Sequence, residues 1–228
     1  MAVTDALRAV RTRVDRAALA AGRDPSEVAL LPVSKFHPVE DIAACMAAGV
    51  TLFGENRPQE LAAKAEALPS ACFAMIGNLQ RNKAQMIVDH AAELHSLDSL
   101  ALAESLSRRL VEAQRALPVL IQVNTSGEPQ KSGVSPDDAL AFAAAVAGLP
   151  GLELRGLMTM AMASPDREQV AGCFRRLVDV QARLRAELPE QCWDTLSMGM
   201  SGDFEIAIAE GSTMVRVGTA IFGPREAV

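Results

Sequence analysis

Four lysines stand against eighteen arginines, few enough for each lysine to be weighed. Lys64 lies in LAAKAEAL, a helical pattern that reads as a solvated face, and Lys131 falls in the loop-like SGEPQKSG. Lys83 opens a helical stretch, where it meets either an anion or only water. Lys35 differs from these, because it follows the apolar run of EVALLPVSKFHP. Partial desolvation there would lower its pKa and favour the free amine, the form that attacks a carbonyl. The alternative is a strand-end lysine whose stem covers apolar surface while its head reaches water.

A second set of residues lies far along the chain, in SMGMSGDFEIAIAEGSTMVRVGTAIFG. Ser201 and Gly202 precede a helical pattern, and Gly218 and Thr219 follow an apolar run. Turns of small residues present backbone N–H groups that cradle phosphate, or they simply reverse the chain tightly. Arg216 alternates with Val215 and Val217, which points it inward, and an unpaired guanidinium is costly there. Either it forms a structural ion pair with a carboxylate such as Glu55, or it faces a bound ligand.

These residues need elements to position them. Val3, Leu7, Val10, Val14 and Ala18 share one face of a leading helix that Gly22 ends. Short apolar runs near 28–33, 50–54, 72–76, 93–96, 118–123, 152–158, 193–197 and 214–217 predict strands. Helical patterns near 38–48, 57–67, 81–91, 98–115, 136–148, 166–187 and 203–210 separate them. Eight strands alternating with helices is the census of a (β/α)8 TIM barrel, here one domain over residues 1–228 with an extra N-terminal helix. An open doubly wound sheet competes, but the first strand lacks the GxGxxG turn of a dinucleotide fold. In a barrel, chemistry gathers at the carboxyl ends of the strands, and phosphate sits after the seventh and eighth. Lys35, GENR, IGNLQRNK and the two small-residue turns all fall at such ends.

Composition bounds the function. A net charge of −6 argues against a general nucleic-acid binder, which needs a basic field. No run approaches the ~18 apolar residues of a membrane span, and arginines interrupt the N-terminus where a signal peptide would be apolar. Cys45, Cys72, Cys173 and Cys192 stand far apart without zinc spacing, so reduced and mostly buried thiols in a cytoplasmic protein are expected. One tryptophan, seven phenylalanines and no exposed apolar stripe lead to the expectation of a monomer.

A carbonyl-reactive lysine opposite a phosphate cup is what pyridoxal 5'-phosphate (PLP) requires. Arg216 beside its pyridine nitrogen would disfavour protonation there and weaken the ring as an electron sink. That suits a holder of the cofactor, or a proton-transfer enzyme that avoids side reactions. The motifs PVSKFHP, FGENRPQEL, IGNLQRNK, IQVNTSGEPQKSG, LRGLMTMA and the stretch from Ser197 to Gly223 resemble the pyridoxal phosphate homeostasis protein family over nearly the whole chain. The resemblance implies a barrel related to the N-terminal domain of alanine racemase, with PLP on Lys35 as an internal aldimine. It further implies Asn56 near the ring, Ser201, Gly218 and Thr219 on the phosphate, and Arg216 toward the pyridine nitrogen. The chain departs from the family pattern at Phe36, His37, Arg57 and Ala74, which leaves loop contacts and any secondary ligand site less defined. His37 is either a proton donor near the ring or a surface residue at a helix start.

Racemisation through PLP needs a proton-transfer group on each face of the substrate adduct. Lys35 could serve one face, but the tyrosine that serves the other in related racemases is missing, since the chain has no tyrosine. His95, at the end of the fourth strand, is the best substitute. No second domain is expected to close over the mouth and exclude water. The first expectation is therefore a PLP carrier or regulator, with apo PLP-dependent enzymes as candidate recipients. A weak amino-acid racemase is the alternative, and a cofactor-free lysine aldolase is a third reading carried by the fold alone.

Overall fold

The computed structural model describes residues 2–224. Its strands are β1 (Ala29–Pro32), β2 (Leu52–Glu55), β3 (Cys72–Met75), β4 (Glu93–Leu97), β5 (Leu117–Gln122), β6 (Leu152–Met158), β7 (Thr195–Ser197) and β8 (Met214–Val217). All pair in parallel, in the order β1-β8-β7-β6-β5-β4-β3-β2. A parallel sheet covered by helices buries both faces, so its strands are short apolar runs instead of alternating ones. Leu117–Gln122, LPVLIQ, shows this pattern.

The sheet closes on itself through one bridge, Val33 to Gly54, beside which the Ser34 N–H donates to the Gly54 carbonyl at 3.0 Å. The result is the expected (β/α)8 barrel. Below that bridge, β1 and β2 form no ladder, and a cavity opens along the seam among Leu7, Arg11, Leu30, Val50 and Leu52. Helix α1 (Val3–Ala20) lies over this side, burying Ala6, Leu7, Val10, Val14 and Ala18 as its periodicity predicts. Close approach of β6 to β7 depends on Gly156, at φ +149°, where a Cβ would fall 1.9 Å from the Thr195 carbonyl oxygen.

The crossover helices are α2 (Val39–Ala47), α3 (Pro58–Ala67), α4 (Ala84–His90), α5 (Leu100–Glu112), α6 (Ala139–Ala147), α7 (Arg167–Glu187) and α8 (Phe204–Ala209). The stretch expected as one helix over 81–91 starts as a 3-10 turn, Arg81–Lys83, before α4. A short unforeseen helix, α9 (Thr219–Phe222), follows β8. None of the described helices is long and apolar enough to cross a membrane. All four cysteines are free, but only Cys45 and Cys173 are buried. The expectation of mostly buried thiols therefore fails for exposed Cys72 and half-buried Cys192. Cys72 is the first residue of β3 and the exposed one of its four.

Candidate functional site

Three residues after β1 the chain turns sharply at Lys35, which is half-buried. The next residue, Phe36, sits at φ +67° and is 44% exposed, a left-handed conformation unusual for a bulky side chain. Backbone strain of this kind persists where the surroundings over-determine it. Here they do. The Phe36 N–H donates to Glu60 Oε1 at 2.6 Å, and the Ser34 carbonyl accepts from Lys64 Nζ at 2.7 Å. Lys64 Nζ also donates to Glu55 Oε1 and to Glu60 Oε1, both at 2.7 Å. Ser34 Oγ donates to Glu55 Oε1 at 2.6 Å.

Lys64 is thus only 6% exposed, and its assignment to a solvated face was wrong. Pro58, Leu61 and Lys64 recur every third residue and form the buried side of α3. The alanines around Lys64 supplied no apolar contrast to show which side that was. Burial raises the pKa of Glu55, while the bonds from Lys64 and Ser34 hold it down.

Arg216 is 4% exposed and held by three hydrogen bonds. Nη1 donates to the Ser197 carbonyl at 2.6 Å and to Ser197 Oγ at 2.8 Å, and Nη2 donates to the Thr159 carbonyl at 2.8 Å. The ion pair with Glu55 offered as one sequence reading is not formed, because Glu55 is engaged with Lys64. Among the described residues no carboxylate oxygen lies within 4.0 Å of this guanidinium. Burial lowers its pKa to about 10, with the Asp203 charge opposing, so it stays a cation at neutral pH.

Lys35, Asn56, Ser201, Arg216, Gly218 and Thr219 all line one cavity of about 410 Å³ at the carboxyl ends of the strands. That size suits a small cofactor. The six residues proposed to hold the cofactor are therefore brought together. His37 also lines the cavity, with its ring stacked on Phe222 at 5.0 Å between centroids. Three lining residues that sequence reasoning missed, Asn78, Gln122 and Ser132, come from the ends of the third and fifth strands and the loop after the latter. Polar residues at those strand ends were the available signal. Gly77 permits the close approach of the loops after β2 and β3, since a Cβ there would lie 2.3 Å from the Asn56 carbonyl oxygen.

His95 is elsewhere. It lies inside β4 at 0% exposure, with Nε2 2.6 Å from Glu93 Oε2, and borders a separate cavity with Pro118, Thr195 and Met214. Burial pushes its pKa down. The expectation that it ends the strand at the mouth is overturned, because β4 continues past it to Leu97.

A model of the alanine racemase N-terminal domain family matches residues 6–226. The pyridoxal phosphate homeostasis protein of Pseudomonas aeruginosa is 42% identical over 226 residues, which cover 98% of this chain and 96% of that one. The chain belongs to the pyridoxal phosphate homeostasis protein family. A solved structure from Bifidobacterium adolescentis is similar at 40% identity and a TM-score of 0.92, covering 96% of this chain and 94% of that one. PipY of Synechococcus elongatus, solved with PLP bound, is similar at 35% identity and a TM-score of 0.85, covering 97% and 100%.

The residues of this homeostasis-family chain fit a phosphorylated aldehyde. Its cavity is lined by the basic residues Lys35, Arg216 and His37, and by no carboxylate among the described residues. The backbone N–H groups of Ser201, Gly202 and Gly218 form no hydrogen bond within the described chain, which leaves donors for an anion.

Proposed function

We propose that the chain binds pyridoxal 5'-phosphate in the mouth cavity and takes part in its homeostasis as a carrier or regulator in the cytoplasm. The observation that carries this reading is the convergence of Lys35, Arg216 and the two small-residue turns on one cavity that no carboxylate lines among the described residues. It agrees with the names of the relatives and with the PLP bound to PipY.

Lys35 supplies the amine that bonds the cofactor's aldehyde. The turns at Ser201 and at Gly218–Thr219 take the phosphate, Asn56 lies beside the ring, and Arg216 faces the pyridine nitrogen. When bound, the cofactor supplies an electrophilic carbonyl and a conjugated ring that accepts electrons. Arg216 keeps a fixed positive charge at that ring, which disfavours protonation of its nitrogen. Release to an apo-enzyme requires that an incoming amine displace Lys35 from the aldehyde carbon.

Substantial turnover is not part of the reading. Besides Lys35 and Arg216, His37 is the one titratable side chain among the described lining residues, and it is stacked on Phe222. A racemase would have to use it for the second proton. Borohydride reduction of the PLP-treated chain followed by peptide mass spectrometry tests the site. The pyridoxyl adduct is expected on Lys35, and an adduct on another lysine, or none, overturns the reading. Formation of D-alanine from L-alanine at the ~10 per second typical of enzymes would favour the racemase instead.

A further inference from the structure

We propose that Glu60 and Lys64 form a positioning clamp for Lys35, one ion pair that fixes the peptide groups on both sides of it and thereby aims its amine into the cavity. The inference rests on the binding reading above. The carbonyl of Ser34 belongs to the peptide preceding Lys35, and Lys64 Nζ holds it at 2.7 Å. The N–H of Phe36 belongs to the peptide following Lys35, and Glu60 Oε1 holds it at 2.6 Å. These two holding groups are themselves joined at 2.7 Å. The Cα of Lys35 is therefore suspended between two anchored peptide planes, and the direction of its Cα–Cβ bond follows from them.

Stability alone does not account for this arrangement. A buried ion pair is commonly matched or exceeded by apolar residues of the same volume, and what it supplies instead is a specified conformation. The conformation specified here includes the strained φ of +67° at Phe36, whose ring lies against the Arg57 guanidinium at 4.8 Å. Lys64 directs its three N–H bonds to Ser34, Glu55 and Glu60, all bearing on the same turn. Bonding to the cofactor requires the Lys35 nitrogen lone pair to reach the aldehyde carbon, the C=O bond being replaced by C=N as the oxygen leaves in water with the two protons of the free amine. Such a step is sensitive to placement, and an error of about 1 Å can cost ~100-fold.

The full chain carrying Glu60→Ala tests the clamp, with Lys64 still paired to Glu55. Three quantities are read: the rate of covalent adduct formation with PLP, the affinity for pyridoxine 5'-phosphate, and hydrogen exchange at the Phe36 amide. Pyridoxine 5'-phosphate carries an alcohol in place of the aldehyde, so it reports the anion cup without Lys35 chemistry. We expect adduct formation to slow about tenfold or more while affinity for the alcohol changes less than about twofold. Exchange at Phe36 should accelerate. Glu60→Gln keeps Oε1 as an acceptor for both donors and should restore the rate to within about threefold of the original chain. An equal fall in both ligands would assign the pair a merely structural role and overturn the proposal. So would undiminished adduct formation in Glu60→Ala. If the unaltered chain forms its adduct away from Lys35, the binding reading itself falls and takes the clamp with it. An adduct on Lys35 that ignores Glu60 sinks the clamp alone.

Discussion

Lys64 and Glu55 are two opposite charges with almost no access to water, and each depends on the other. Removing Lys64 as Lys64→Met leaves the Glu55 carboxylate buried without its cation, which should cost about 3–5 kcal/mol at neutral pH. The sign of the pH dependence follows from Glu55. Its folded pKa, already raised by burial, rises further once Lys64 is gone. The folded state then holds a proton that the unfolded chain has released. Stability of Lys64→Met should be fully present below the ordinary glutamate value of about 4.3 and fall as pH climbs through the raised one. Urea titrations across pH check this, and adding Glu55→Gln should recover much of the neutral-pH loss. Lys35→Ala, by contrast, should leave the circular dichroism spectrum intact and abolish the absorbance of the covalent adduct. The contrast between the two lysines also marks what could be read from the chain. Lys35 follows an apolar run and declares itself. Lys64 sits among alanines, where neither hydropathy nor propensity tells inside from outside, and only its i,i+4 relation to Glu60 hinted at a partner.

At the level of elements, strand ends set the geometry of the cavity. The loops after β2 and β3 touch through backbone at Gly77, so the Cβ of Gly77→Ala, 2.3 Å from the Asn56 carbonyl oxygen, must push Asn56 away. We expect that variant to remain folded, to lose about 1–3 kcal/mol in urea unfolding, and to bind PLP more weakly in spectroscopic titration. Full retention of affinity would show that Asn56 does not contact the ring. All eight strands were foreseeable, with β6 and β8 matching the expected spans, because continuous apolar runs of four to seven residues have few other uses. Helix ends were less legible. Asp138 and Ser99 form no side-chain cap, and both helices begin two or three residues later than periodicity suggested. His95 was misplaced for a related reason: the run ELHSL continues as strand beyond the histidine, and a single polar residue in a buried strand mimics a strand end.

On the scale of the molecule, a net charge of −6 surrounds a cavity lined by Lys35 and Arg216. Capture of an anionic vitamer should therefore depend on salt only through the local field near the mouth. Stopped-flow rates for PLP at low and high ionic strength will show a decline with salt; for unphosphorylated pyridoxal the decline should vanish. Sedimentation equilibrium is expected to return the mass of one chain. Exposed Leu19, Leu100 and Val111 are dispersed over two helices, as single apolar residues on a protein surface commonly are, while exposed Met160 and Met200 line the mouth cavity and Phe36 adjoins it.

The single rung between Val33 and Gly54 gives the barrel a weak stave joint beside the lysine. Lys35 follows one stave of that joint and Asn56 follows the other. A vitamer gripped by both would act as a rivet across the gap, so cargo and container would tighten together. Emptying the barrel would then loosen its joint, and limited proteolysis near 48–52 would distinguish a loaded vessel from a spent one.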